Sequence, residues 1–221
     1  MVLRGLCRLL RPGRGAPVAP SQLAADFPSR VIDAGWGQWW RIHRAENGPW
    51  WFESSDRPGR KPADIGRLDL PLPEGTCYLG SDIGGISPEV LRERDVSAQN
   101  AQAAAHNRRL SQMPLDWYYG KRIADFTADG LVALGAPVDI GALTREDARP
   151  WAVAARNTGY SGMLFRLHAD PRRRHGLALF GPAGPRDPLP HQPPGTPLTV
   201  GQQHELRDLF GAWSGDDPLS A

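Results

Sequence analysis

The sequence predicts an α+β domain, on three observations. Short apolar runs bounded by glycine or rich in aromatics recur along the chain, as β-strands do. Two helical stretches carry start signals, Ser87-Pro88 and Thr144. The 221 residues, 40% of them hydrophobic and 23% charged, suffice for one core plus an extra segment.

Taken in order, residues 1–25 hold no acid and carry Arg4, Arg8, Arg11 and Arg14 among Pro and Gly, which predicts a disordered basic tail with a lead-in to residue 35. Val2 to Leu10 is too short and too arginine-rich for a secretory signal. The domain is expected over 36–181, opening with an aromatic strand, Trp39-Trp40-Arg41-Ile42-His43. Gly75 to Gly80 reads as a second strand after the prolines at 71 and 73. Ser87 as N-cap and Pro88 at the first helical position open a helix expected to run to about Leu110. Gly120 to Phe126 is a strand candidate, and Leu143 to Asn157 a helix with Gly159 just past its end. Met163 to Phe165 and Leu177 to Phe180 suit a hairpin around the basic run at 170–175. Seven prolines between Pro182 and Pro197 predict a linker or extended strap over 182–198. Beyond it, Leu206, Leu209, Phe210 and Trp213 place an amphipathic helix and tail at 199–221. The tryptophan pairs 39–40 and 50–51 read as core or pocket wall.

Composition excludes several classes of function. A net charge of +2 does not mark a nucleic-acid platform. Cys7 and Cys77 can build neither a disulfide scaffold nor a cysteine-based zinc site, and their scarcity suits a reducing cytoplasm. No run reaches the ~20 apolar residues of a membrane span. Six scattered histidines predict no metal site, and no P-loop, dinucleotide fingerprint or His-Glu-x-x-His occurs. Gly159-Tyr160-Ser161-Gly162 fails the serine-elbow pattern, because its second glycine comes one residue early.

The informative block is Gly66-Arg67-Leu68-Asp69, then Gly75-Thr76-Cys77-Tyr78-Leu79, then Ser87-Pro88-Glu89-Val90-Leu91. Glu89, in a first helical turn, would be favoured there by the helix dipole alone; it is also a rigidly mounted carboxylate. Arg67 offers a fork for phosphate, with a plain surface arginine as the alternative. Tyr78 offers a ring for stacking, with a half-buried strand aromatic as the alternative. Together with Arg41 in its strand, Arg122-Ile123-Ala124-Asp125-Phe126, Pro150-Trp151-Ala152 and the two closing strands, the order resembles the RES-domain family over residues 37 to 181.

That resemblance implies an ADP-ribosyltransferase-like fold of small twisted sheets with flanking helices. It implies the toxin half of a toxin–antitoxin pair that destroys NAD, by hydrolysis or by transfer of ADP-ribose to inorganic phosphate. NAD is then the substrate rather than a resident cofactor, phosphate is a possible co-substrate, and an antitoxin is the partner. Residue by residue, it implies catalytic roles for Glu89 and Arg67 and NAD-binding roles for Arg41 and Tyr78, with no metal. The departure lies at the family's final Tyr-x-Ser-Arg, where this chain has Phe165-Arg166-Leu167-His168, so Leu167 stands for the serine. Two alternatives remain open: a catalytically silent protein that binds NAD or a partner, and transfer of ADP-ribose to a macromolecule.

Overall fold

Runs such as Met163-Leu164-Phe165 and Leu177-Ala178-Leu179-Phe180 are apolar at every position, which a strand tolerates only when both faces are covered. The computed structural model, which describes residues 17–61, 65–86, 107–167 and 174–198, shows that arrangement. The strands are β1 (Ser29–Val31), β2 (Trp39–Arg44), β3 (Trp51–Phe52), β4 (Glu74–Gly80), β5 (Arg108–Met113), β6 (Arg122–Asp125), β7 (Gly162–Arg166), β8 (His175–Pro182), β9 (Gly184–Pro185) and β10 (Thr196–Pro197). Eight of them form one sheet in the order β1-β6-β7-β8-β4-β2-β5-β10, while β3 and β9 form a small second sheet. β6 and β7 are parallel; the other described pairs are antiparallel.

Helix α1 (Arg145–Asn157) lies where the sequence places it. Thr144 Oγ1 accepts from the Asp147 N–H at 3.2 Å and donates to the Asp147 carboxylate at 2.8 Å. Gly159, at φ 89°, takes the left-handed position past the last turn. Ala148, Trp151, Ala152 and Ala155 form its buried face, with Trp151 edge-on to Phe126 at 6.1 Å. Pro150 sits inside the helix. On this side Met163, Phe165, Ala178 and Phe180 meet α1; on the other Leu164, Leu177 and Leu179 meet Trp39, Trp50 and Phe52. β7 and β8 form the expected hairpin, with Met163 opposite Ala178. Gly162 is required there, because a Cβ would come within 2.4 Å of the Ala178 carbonyl oxygen.

Two expectations change, and one pair of alternatives is decided. The fold begins before Trp36: Leu23 and Phe27 are buried in the α1-side core, and β1 pairs with β6. The apolar residues ahead of Trp36 are too widely spaced to show a period, so only their tertiary partners reveal them. The helix does not reach Leu110, since residues 108–113 form β5, aligned along all of β2 and bordered by β10. Leu and Gln are good helix formers, but cross-strand pairing overrides propensity. The proline-rich stretch is a strap rather than a free linker. Its ends pair with β3 and β5, and Gln192 accepts from Trp50 Nε1 at 2.6 Å while donating to the Gln112 carbonyl at 3.1 Å. Arg186 stacks 3.6 Å from the Trp117 ring centroid, and Leu198 is buried with Ile42, Ile86 and Leu110. Pro185 and Pro197 fit because they lie in the short strands β9 and β10, where an N–H is dispensable. The tail at 1–16, the Ser87–Pro88 helix start with Glu89, and the helix at 199–221 lie outside the described residues, although residues 83–86 are already helical.

Candidate active site

β2 and β4 are registered at Trp40 opposite Gly80. Next to that junction opens a cavity of about 520 Å³, lined from β2 by residues 41–44 and from β4 by Tyr78 and Leu79. Its remaining wall includes residues 66–69, Gly141, Arg108, Phe165 and Leu167. The size suits a ligand between a nucleotide and a dinucleotide, within the usual ~300–1,000 Å³ of small-molecule sites.

Gly66 to Leu70 has no strand partner of its own for most of its backbone, and side chains of β4 supply one. Leu68 N–H donates to the Tyr78 hydroxyl at 2.8 Å, and the Thr76 hydroxyl donates to the Leu68 carbonyl at 2.7 Å. Within the loop, Asp69 Oδ2 accepts from the Gly66 N–H at 2.7 Å and from Arg60 Nη1 at 2.7 Å. Arg60 Nη1 also donates to the Ser54 carbonyl at 2.7 Å, which ties the 53–60 segment to the same carboxylate. Asp69 is fully buried; burial pushes its carboxyl up, while Arg60, the Gly66 N–H and the Tyr78 hydroxyl pull it back toward ionisation. Gly66 is the residue this turn needs, because a Cβ there would lie 2.7 Å from both Asp69 Oδ1 and the Tyr78 oxygen.

The loop so fixed presents Arg67, whose Nη1 donates to the Gly141 carbonyl at 2.5 Å. Gly141 lies in the 3-10 turn Ile140–Ala142, itself capped by Asp139, whose carboxylate accepts from the Gly141 N–H at 3.0 Å. Arg67 and Tyr78, eleven positions apart in sequence, thus share one cavity. Arg41 reaches it too, yet its Nη1 is engaged by the Pro49 carbonyl at 2.5 Å and by Cys77 Sγ at 2.8 Å. That makes it a strut between β2 and β4 as well as a wall residue. Burial pushes the Cys77 thiol up, against the pull of Arg41. Leu167, buried at 3% exposure, lines the cavity where the resemblance expects a serine. Glu89 and His168 lie outside the described residues. Ser161 does not line the cavity; its carbonyl accepts from the Phe180 N–H at 2.9 Å. Each tryptophan pair divides between core and outer side: Trp39 and Trp50 are buried, while Trp40 and Trp51 are half-buried and Trp51 lines the cavity.

Sequence reasoning missed Arg60 and Asp69 as a clamp, and Arg44 and Arg108 as wall residues. Asp69 follows Gly66 by three, the spacing of a side chain closing a turn onto a preceding N–H, and that was the available signal. Arg44 and Arg108 carry no local signal, because only the β2–β5 register brings them together.

His43 is 5% exposed. Its Nδ1 lies 2.9 Å from the Arg44 carbonyl and must donate, so Nε2 accepts from the Ser111 hydroxyl at 2.9 Å. Burial drives its pKa from 6.5 to about 4, and Arg41, Arg108 and Arg109 add to the fall. A folded pKa below the unfolded one means that the unfolded chain takes up the proton first as pH drops. Stability is therefore expected to fall between pH 6.5 and 4 by about 3 kcal/mol from this residue, and to level off below. Urea midpoints of wild type and His43→Gln across that window check this; equal slopes would remove His43 as the cause.

No protein-family model matches the sequence, and neither does any curated protein. Among solved structures, the chain is similar to one in the crystal structure of the M. tuberculosis MbcT–MbcA toxin–antitoxin complex, at 20% identity and a TM-score of 0.53, over 77% of this chain and 88% of that one. The two share a fold. The expected α+β class therefore holds, with more of the described residues in strands than in helices and α1 as its long helix. Among the described residues no helix is long and apolar enough to cross a membrane, and no group of three or more His, Cys, Asp or Glu gathers as a metal site.

Proposed function

We propose that this chain cleaves the nicotinamide–ribose bond of NAD and acts as the toxin of a toxin–antitoxin pair in the cytoplasm. The observation that carries this reading is the single cavity shared by Arg67 and Tyr78, on the fold of a chain from a toxin–antitoxin complex.

Cleavage breaks the C1′–N bond, leaving its electron pair on neutral nicotinamide and an oxocarbenium-like ribose that water or inorganic phosphate then captures. Tyr78 offers its ring to the nicotinamide, held in orientation because its hydroxyl is bound to the Leu68 N–H. Arg67, on the clamped loop, offers a charge-assisted contact to the pyrophosphate. Glu89 is assigned the ribose, where a carboxylate stabilises developing positive charge. The cognate antitoxin would be a protein that covers this cavity.

The test is nicotinamide release from NAD by purified protein, with and without inorganic phosphate, resolved by chromatography. Release only with phosphate identifies a phosphorylase, and release without it a glycohydrolase; absence of release from folded, antitoxin-free protein overturns the reading. Labelled ADP-ribose appearing on protein or nucleic acid instead would assign transfer to a macromolecule.

Leu167 favours one second reading, a silent NAD-binding protein, because an apolar side chain occupies the cavity wall where a polar contact is expected. A positioned polar contact contributes about 3 kcal/mol to a transition state, so Leu167→Ser is expected to raise turnover about 10²-fold if the silent or slowed reading holds. Unchanged turnover in a folded Leu167→Ser protein would remove position 167 from the chemistry.

A further inference from the structure

Asp69 carries an atom that neither the clamp nor the proposed chemistry uses. Its Oδ2 takes both donors already described, Arg60 Nη1 and the Gly66 N–H, each at 2.7 Å. Its Oδ1 is buried and, among the described residues, receives no hydrogen bond, although the residue is shielded from solvent at 0% exposure. The Tyr78 hydroxyl favours the anion from beside it, with its own oxygen held by the Leu68 N–H at 2.8 Å. A buried carboxylate oxygen without a donor is costly, so a native fold keeps such an atom where a ligand or an ordered water completes it.

That oxygen and the Tyr78 hydroxyl converge in front of Gly66. A Cβ at residue 66 would stand 2.7 Å from Asp69 Oδ1 and 2.7 Å from the Tyr78 oxygen, so a side chain there would plug the space before both. Glycine leaves the space open, and Gly66, Asp69 and Tyr78 all line the cavity. The two donors on Oδ2, one of them a guanidinium, favour the ionised carboxylate, which makes Oδ1 an acceptor. It calls for an N–H or O–H donor at the edge of whatever stacks on Tyr78, and it repels a carboxylate placed there. On a nicotinamide stacked on that ring, the substituent that projects past the edge is the carboxamide, whose NH2 supplies the donor.

We infer that Asp69 Oδ1 accepts a hydrogen bond from the substrate's carboxamide NH2, and that this contact makes the cavity select nicotinamide over nicotinate. The inference rests on the dinucleotide reading above and adds to it the group by which the leaving base is recognised. The 6-amino group of adenine offers the same donor chemistry, and the test separates the two.

The experiment compares kcat/KM for NAD and for nicotinic acid adenine dinucleotide in wild type and Asp69→Asn, with thermal midpoints to establish folding. Wild type is expected to prefer NAD by about 10²-fold or more, since a site built to take a donor rejects the analogue that lacks it. In Asp69→Asn the Gly66 N–H and Arg60 still require an acceptor, so the amide keeps its oxygen toward them and turns its NH2 to the cavity. That exchange of acceptor for donor should lower the preference by about tenfold or more, whereas a merely loosened loop would slow both dinucleotides alike and leave it unchanged. A wild-type preference below about tenfold, or one unmoved in folded Asp69→Asn, overturns the inference. Nicotinamide hypoxanthine dinucleotide, which lacks the adenine amino group, should be cleaved as well as NAD. Discrimination against it instead, relieved by Asp69→Asn, assigns Oδ1 to the adenine and overturns the carboxamide contact. Calorimetric titration of wild type with nicotinamide mononucleotide and nicotinic acid mononucleotide tests recognition without cleavage and without a variant. Tighter binding of the first supports the inference even if no dinucleotide is cleaved, an outcome that sinks only the proposed reaction. Equal affinities, or binding of neither, leave Oδ1 to an ordered water and overturn it.

Discussion

Asp69→Ala is expected to destabilise the fold by about 3–5 kcal/mol, the usual cost of removing one partner from a buried ion pair. Arg60, with its side chain 13% exposed, would lose the carboxylate it meets at 2.7 Å, and the Gly66 N–H would lose its acceptor. The loop that presents Arg67 would loosen in the same step, so turnover should fall with stability. Asp69→Asn keeps an acceptor for Gly66 while losing the charge, and should cost less than Ala. Replacing both partners, Arg60→Met with Asp69→Leu, should recover stability toward wild type, since the cost lies in the orphaned charge. Turnover should stay low in that double variant, because the turn onto Gly66 is still lost. Urea unfolding checks all three proteins; an Asp69→Ala midpoint equal to wild type would show that the clamp contributes nothing.

Arg67→Ala should leave the fold nearly intact and lower kcat/KM for the dinucleotide about 10²-fold, close to 3 kcal/mol of lost charge stabilisation. The Gly141 carbonyl would lose its 2.5 Å donor, a cost of about 1 kcal/mol that a thermal midpoint can read separately. Arg67→Lys should not restore the rate, because a point charge cannot contact Gly141 and a phosphate with the geometry of a fork. Turnover within threefold of wild type in Arg67→Ala would take this residue out of the proposed site.

The strands and α1 were legible because their signals are local. Aromatic and apolar runs between glycines located β2, β4, β7 and β8, and Thr144 with Gly159 bounded α1 to within a residue or two. Within the site, Arg67 and Tyr78 were legible as parts of Gly66-Arg67 and Gly75-Thr76-Cys77-Tyr78, and both line the cavity. Other features were not. β5 reads as the end of a helix because Arg108 to Met113 holds good helix formers, and its strand state depends on β2 beside it. Leu23 and Phe27 lie in a stretch with no period, and the strap's prolines look like a linker until β3, β5, Trp50 and Trp117 are placed around them.

By itself, then, the sequence determined the α+β class and the caps of α1, Thr144 and Gly159. These depend on neighbours a few residues away or on the backbone alone. Tertiary structure decided that Arg41 is a strut on Cys77 and Pro49, that Asp69 and Arg60 clamp the Arg67 loop, and that Arg44 meets Arg108 across β2 and β5. Each of those joins residues from separate elements, and the partner of a charged side chain is chosen by strand register and burial, which no local pattern encodes.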